Sequence, residues 1–439
     1  MTLVLQNLSS FLTDSLNLKL KEATTIVNLQ EGLRNMLQIC VALCIDAYLG
    51  YRWMLILSSL LYSAGLFLLA LSVPGGEGCP SNCFKELKHT SFWEGLTLVV
   101  VGGAAQVIPL YALSFEQTRV AKSPEDCEPA RVQIGCFSAA VKESPADDNL
   151  RTRWRLCTVT EVEQTKLLLD IIPMSATFIV YGMVKSLGNT FFIEQADTMR
   201  GGTPLVLLQL IQLISKSAVN KGYKMVLGKR IQRIKRRYSD GVKIGIGMLT
   251  SILCCAVASQ VESKRLKALK KKGLLDNPEA KAPMSASWLL LQFIFLGAME
   301  GLAGDGILNF FGHYVPDSRR YAPVFTSSLT GFGTILSIGF IAIIDYYSRF
   351  RYKESWIGES VNESRLDLIY RAYVMLAVLN CFIYAYVASS YSYDNIIGRP
   401  ENEQEIPVLE VQQQQETAAG DQQNKQEQEE YQLQRMPVR

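Results

Sequence analysis

Ionisable residues lying inside apolar stretches are the first whose chemistry needs an explanation. Lys185 sits within an apolar run that opens near Leu167, well past Pro173. An ammonium group there costs at least a few kcal/mol unless it faces a partner or a polar cavity, so it is a candidate to hold the negative group of a solute such as a carboxylate or nitrate. Two other readings stand beside it: an internal pair with an acid such as Glu300, and snorkelling of the long side chain toward the surface. Glu300 and Asp305 share another apolar run, with Gly301, Ala303 and Gly304 between them. In a regular α-helix a step of this length turns about 500°, which leaves the two carboxylates some 140° apart and argues against a dyad. Desolvation can raise a buried carboxylate's pKa toward neutrality, so either is a candidate proton carrier. The small residues around them serve close helix packing equally well. With His89 and His313 the only histidines, a histidine-based metal site or a Ser-His-Asp triad is hard to assemble. No enzyme chemistry, metal or cofactor is expected.

Positioning such groups falls to elements long enough to span a bilayer. Of the 439 residues 49% are hydrophobic, mean hydropathy is +0.13, and charge is gathered into a few stretches. This composition favours a membrane protein over a large soluble domain. A net charge of +3 gives no electrostatic case for nucleic acid. A hydrocarbon core about 30 Å thick needs roughly 20 mostly apolar helical residues. Apolar runs near Leu33–Leu49, Trp53–Val73, Phe92–Phe115, Leu167–Phe192, Pro204–Asn220, Val242–Val261, Trp288–Phe311, Val324–Tyr346 and Leu366–Tyr391 meet that length, and predict about 9 transmembrane helices. Between the third and fourth lies a polar insertion, Glu116–Gln164, too broken to span. Lys221–Asp240 and Lys264–Lys272 are both strongly basic, so the positive-inside rule does not choose a side by itself. Cys40, Cys44, Cys254, Cys255 and Cys381 lie in apolar runs and read as small hydrophobes. Cys79 and Cys83, in a Pro/Gly-rich connection, are the one pair suited to a disulfide or metal. The stretch Arg399–Arg439 is rich in Gln and Glu, which reads as a disordered tail.

Several motifs occur in one order along the chain. Asp46-Ala47-Tyr48-Leu49-Gly50 is followed by Trp53; Ile172-Pro173 and Ala176-Thr177 lead to Phe191-Phe192 and Gln195; Phe310-Phe311 precedes Val315-Pro316-Asp317-Ser318; Ser364-Arg365-Leu366-Asp367 precedes Asn380 and Tyr384. Asn7–Leu18 and Val27-Asn28 stand upstream. In this order they resemble the plant-type nitrate/peptide transporter family, the proton-dependent oligopeptide branch of the major facilitator superfamily. The resemblance implies an all-α membrane protein with a major-facilitator-like helical bundle. Its spans look like family helices 2, 3, 4 and 7 to 12, with helices 1, 5 and 6 missing and the N-terminal half incomplete. The implied domains are 1–115, a partial N-terminal half; 116–166, a cytoplasmic insertion; 167–398, a six-helix C-terminal half; and 399–439, a disordered cytoplasmic tail. The turn with Asp46, Gly50 and Trp53 is the structural motif.

The resemblance also implies a function: a multi-pass transporter, in the plasma or vacuolar membrane, of a small anionic or peptide-like solute. Lys185 matches a position that faces the substrate pocket, and the family commonly has an acid at the position of Glu300. Asn309 stands where many members have a second glutamate; it can hydrogen-bond substrate but cannot carry a proton. The family's E-x-x-E-R and helix 5 motifs are not found, and Val107 replaces a pocket lysine, so little or no proton-driven uptake is expected from this chain alone. The alternative is a non-transporting membrane partner, a regulatory protein or a truncated product. Three helices forming one wall of a pathway would expose polar residues to lipid, so homo- or hetero-oligomerisation is expected to cover them.

Overall fold

Inside a bilayer the backbone has no water to bond, so long apolar runs satisfy it as helices. The structure, a computed structural model, describes residues 8–14, 18–45, 50–72, 83–120, 159–200, 204–226, 236–275, 277, 280–314 and 321–390; within these the side chains at 14, 83–90, 111–120, 159–170, 236–239, 313–314 and 390 are not described. Asp46, the Cys79 and Cys83 side chains, most of the insertion and everything from residue 391 lie outside what is described. One compact unit ends at Ser390.

The elements in order are α1 (Leu8–Asp14), α2 (Leu20–Cys44), α3 (Gly50–Ser72), α4 (Cys83–Val120), α5 (Val159–Asn189), α6 (Phe191–Asp197), β1 (Met199–Arg200), α7 (Leu205–Val226), α8 (Arg236–Lys271), β2 (Ala282–Ser285), α9 (Leu290–Met299), a π-helical turn (Glu300–Gly304), α10 (Asp305–Tyr314), α11 (Ala322–Tyr352) and α12 (Leu366–Ser390). β1 and β2 form a small parallel pair beside the helices. Among the described residues, 7 helices are long and apolar enough to cross a membrane. Two more of comparable length, α2 with 25 residues and α7 with 22, are more polar. The reason is visible in α2, where Thr24, Asn28, Glu31, Asn35 and Gln38 are buried against protein while Leu29, Leu33, Met36 and Leu43 are exposed on the side open to lipid. Polar inside and apolar outside is the inverse of a soluble helix. The polar residues of α2 are thus covered within this chain, and the expected exposure of a polar wall to lipid is not seen for them.

Several boundaries differ from the expectation. The first span begins at Leu20, well before Leu33, because α2 continues through the polar residues just named. The basic run Lys264–Lys272 is not a loop: α8 carries it to Lys271, where Lys270 and Lys271 end the helix favourably for its dipole. The insertion is shortened at both ends, since α4 runs to Val120 and α5 starts at Val159. Gly50 opens α3 with φ +64°, a conformation that favours glycine, while Trp53 three residues on is 70% exposed. Of the cysteines expected to be buried, Cys254 and Cys255 are, whereas Cys40 and Cys44 are exposed.

Charge holds several helices where the segment between α11 and α12 meets them. Toward the end of α8, Arg265 and Glu262 are both 0% exposed and paired at 2.7 Å. Arg265 also donates to Asn362 Oδ1 at 2.6 Å and to the Val361 carbonyl at 3.0 Å, and Gln195 of α6 donates to Glu262 at 2.7 Å. One pair therefore ties α6, α8 and the segment before α12. Beside the same segment α2 packs along α11. At one end Lys21 donates to buried Asp345 at 2.5 Å, Arg349 reaches the same carboxylate at 3.2 Å, and Lys19 pairs with Glu359 at 2.6 Å. In the middle Gly32 meets Gly331, where an added Cβ would sit 2.6 Å from Asn35 Cβ. At the other end Val41, Ala42 and Ile45 pack with Tyr321 and Val324.

Breaking the pair Glu262–Arg265 by replacing Arg265 with Met would leave a carboxylate buried without its charge partner. We expect a loss of about 3–5 kcal/mol in the purified protein, with the double substitution E262L/R265L costing less than R265M alone. Thermal unfolding in detergent checks both, and equal losses for the two variants would contradict the expectation.

Candidate functional site

Three helices converge on the middle of the bundle, and the π-turn decides what they present to one another. Residues 300–304 hold Glu-Gly-Leu-Ala-Gly, small enough to let the helix widen, and the Asp305 amide donates to the Glu300 carbonyl in the i to i+5 pattern of a π-helix. This bond places Asp305 over Glu300. The separation of some 140° expected for a regular α-helix is therefore corrected by the structure, and both carboxylates address the same neighbour, α7.

On α7 the residues that meet them recur at helical spacing. Gln212 donates to Glu300 Oε1 at 3.2 Å, the Lys216 ammonium lies 3.8 Å from Glu300 Oε2, and Asn220 donates to Asp305 Oδ2. Gln212, Lys216 and Asn220 are one turn apart in succession, so they line one face. Close approach of the helices depends on Gly297 and Gly301: a Cβ at either would run into the carbonyl of Gln212 or of Lys216. Lys243 of α8, itself buried, donates to Asn220 Oδ1 at 2.9 Å and lies 5.8 Å from the centre of the Tyr223 ring.

The third helix is α5. Tyr181, Lys185 and Asn189 are also successive turns on one face. Tyr181 is buried with its hydroxyl against Gly304 in the π-turn, close enough to feel the charges of Glu300, Asp305 and Glu31. Asn189 donates to Glu31 Oε2 of α2 at 2.6 Å. Lys185 lies between them, half-buried. Among the described residues it makes no ion pair or hydrogen bond, and Glu300, one acid considered for it, is met instead by Lys216 and Gln212. Asn309 is exposed and donates to Asp240 at the start of α8 at 3.3 Å, one turn beyond Asp305 and away from Lys185.

Of the residues expected from sequence, Glu300 and Asp305 come together, Lys185 is half-buried on α5 one turn from Tyr181 and from Asn189, and Asn309 stands apart. Glu31, Tyr181, Asn189, Gln212, Lys216, Asn220 and Lys243 were not anticipated. The signal that could have found some of them is spacing: a polar residue one turn before and after Lys185, and Gln-Lys-Asn at successive turns of α7. No group of three or more metal-ligating side chains occurs among the described residues.

A bundle of long apolar helices with a charged seam at its centre is that of a multi-pass helical membrane protein. The profile of the POT family, PTR2, matches residues 137–357, about half of the chain. NRT1/PTR family protein 5.5 of Arabidopsis thaliana is 25% identical over an alignment covering 88% of this chain and 93% of that protein. For family protein 5.10 of the same plant, identity is 32% over 54% of this chain, and this chain spans 44% of that protein's length. The crystal structure of an auto-inhibited POT family peptide transporter superposes with a TM-score of 0.66 at 14% identity, over 88% of this chain and 93% of that one, a likeness of fold alone. This chain belongs to the POT family, and is a nitrate/peptide-type transmembrane transporter.

Because Gly301 admits the backbone of α7, a larger residue must push the two helices apart. Gly301→Val is expected to lower stability by about 1–3 kcal/mol, the usual cost of overpacking. Gly339, with no atom within 4 Å of an added Cβ, supplies the comparison, and Gly339→Val is expected to be close to neutral. Unfolding temperatures of the two variants decide the matter, and equal effects would refute it.

Proposed function

We propose that this transporter moves a small solute carrying a negative group, nitrate or the carboxylate of a peptide-like molecule, and that Lys185 holds that group. The observation that carries this reading is the position of Lys185: a half-buried cation without a partner among the described residues, on a face of α5 whose neighbouring turns touch Glu31 through Asn189 and the π-turn through Tyr181. An ammonium in that setting gains from an incoming anion what its surroundings do not supply. Tyr181 and Asn189 offer hydrogen bonds on either side of it. Glu300 and Asp305 are the carboxylates available for proton coupling, and Asn309, a turn further along α10, is a polar contact for solute nearer the start of α8. We assign residues up to Val120 and residues from Val159 to Ser390 to two halves that rock about this region. The contact of α2 with α11 is where the two halves would meet.

Counterflow in proteoliposomes needs no proton gradient and so tests the site apart from its coupling. Exchange of labelled nitrate or of a labelled dipeptide is expected for the unaltered chain, with Lys185→Gln lowering the rate about tenfold, a loss of about 1.4 kcal/mol, and Lys185→Arg retaining part of it. Exchange unchanged in Lys185→Gln would end this assignment. With the E-x-x-E-R motif not found and with Asn309 and Val107 unable to titrate, Glu300 and Asp305 would have to carry any coupling alone, and an imposed acid-outside gradient is expected to add little accumulation.

A further inference from the structure

A second cation lies in the body of α2, and the solute reading above leaves it unused. Arg34 stands near the middle of that helix and is half-buried. The nearer helix end is about 15 Å away along the axis, more than an arginine side chain can span, so snorkelling does not account for it. Among the described residues its guanidinium makes no ion pair or hydrogen bond. Its stem is nevertheless fixed. A Cβ built on Gly103 of α4 would stand 3.2 Å from Arg34 Cδ and 3.6 Å from Tyr62 Cε2, so the arginine and the α3 tyrosine flank one glycine. Tyr62 itself is buried and lies within electrostatic range of the guanidinium. Gln30, one turn before Arg34 on the same face of α2, is 6% exposed, and its Nε2 is buried with no acceptor among the described residues.

A guanidinium, a side-chain amide nitrogen and a phenol all donate hydrogen bonds. Glu31, the acid one turn from Arg34, is engaged by α5, where its carboxylate accepts from Asn189 at 2.6 Å. An arginine without a partner inside a bilayer is costly, and a buried donor without an acceptor adds to that cost. Both penalties fall when a planar oxyanion enters, because a guanidinium fork meets two oxygens at once. We propose that Arg34, Gln30 and Tyr62 form a second anion subsite, separate from Lys185, that takes a carboxylate or nitrate. The proposal rests on the reading of this chain as the carrier of a solute with a negative group, but not on the assignment of that group to Lys185. Helix directions set the two cations in relation. Asp345, Ser337 and Gly331 of α11 meet Lys21, Asn28 and Gly32 of α2 in antiparallel order, whereas Ser337 and Gly333 meet Ser186 and Gly182 of α5 in parallel order. α2 and α5 are therefore antiparallel. Arg34 follows Glu31 and Lys185 precedes Asn189, so both cations lie on the same side of the Glu31–Asn189 contact, each about one turn from it.

Thermal unfolding of the full chain in lipid nanodiscs, with sodium acetate, sodium nitrate or sodium chloride at one ionic strength, tests the subsite without transport. The dependence of the unfolding temperature on salt concentration gives an apparent Kd for each anion. Acetate or nitrate is expected to raise that temperature more than chloride does, since a planar oxyanion matches the fork and a sphere does not. Lys185→Gln leaves Arg34 as the cation under test. In that background Arg34→Gln is expected to weaken binding about tenfold and Tyr62→Phe or Gln30→Leu about threefold, with Arg34→Lys between the unaltered residue and Arg34→Gln. Without added anion, Arg34→Gln should be at least as stable as the unaltered chain, because it removes a buried charge that has no partner. A loss of stability there would show that Arg34 is paired within the chain, and overturns the proposal. Acetate and nitrate acting no better than chloride on the unaltered chain overturns it too. So does a shift that vanishes in Lys185→Gln and survives in full in Arg34→Gln, which would leave Lys185 as the site. A shift kept in full by Lys185→Gln and lost in Arg34→Gln would support the second subsite and remove the first.

Discussion

An ionised side chain inside an apolar bundle costs several kcal/mol unless a partner meets it, and in this chain that requirement fixes how the helices are turned. Glu262 and Arg265 could not both be 0% exposed unless α6 and the segment before α12 closed over them with Gln195 and Asn362. Asp345 sits on α11 facing α2 because Lys21 and Arg349 are there to neutralise it. Apolar surface sets no comparable preference within lipid, where a leucine is as content against an acyl chain as against a neighbour. Polar residues therefore specify the rotation of each helix, and apolar ones mark which sides face outward. The buried Asn28, Asn35 and Gln38 of α2, opposite its exposed Leu29, Leu33 and Leu43, are the clearest instance.

The contact of α2 with α11 is unequal along its length. Ion pairs gather at one end, two glycines meet in the middle, and apolar side chains pack at the other. Separation at the ionic end would have to hydrate Asp345, Lys21 and Arg349, whereas separation at the apolar end would expose surface already at ease in lipid. The Lys19–Glu359 pair at the ionic end lies outside the helices and raises the Lys19 pKa through its hydrogen bond, but both side chains are open to water and salt will screen them. Asp345, 3% exposed, is the group on which that end depends.

At the centre, one local departure from α-helical geometry changes what the same residues can do. A π-turn over Glu300–Gly304 turns two carboxylates that a regular helix would point apart toward one partner helix, and the glycines that allow it also admit the backbone of α7. The result is a ladder in which Gln212, Lys216 and Asn220 answer Glu300 and Asp305 in turn. Lys185, half-buried on α5, makes no ion pair or hydrogen bond among the described residues.

Length and hydropathy in the sequence were enough to determine the helical membrane class, since each apolar run must satisfy its own backbone and only a helix does so locally. The order of motifs from Asp46 to Tyr384 was enough for the family, and Lys185, Glu300 and Asp305 stood out because charge is costly where they lie. The start of α2 was not legible, because its inward face is polar and its hydropathy falls below that of a span. Nor was the extension of α8 through Lys264–Lys271, whose basic residues look like a loop until Arg265 is seen buried against Glu262 and Asn362. Tertiary structure alone decided the partners. Which of Glu300's neighbours would be Lys216 and which of Asp305's would be Asn220 depends on helices far apart in the chain, and on a π-turn whose register no hydropathy pattern encodes. Backbone satisfaction and hydrophobicity act within a segment and can be read there, whereas charge pairing acts between segments and exists only once they have been brought together.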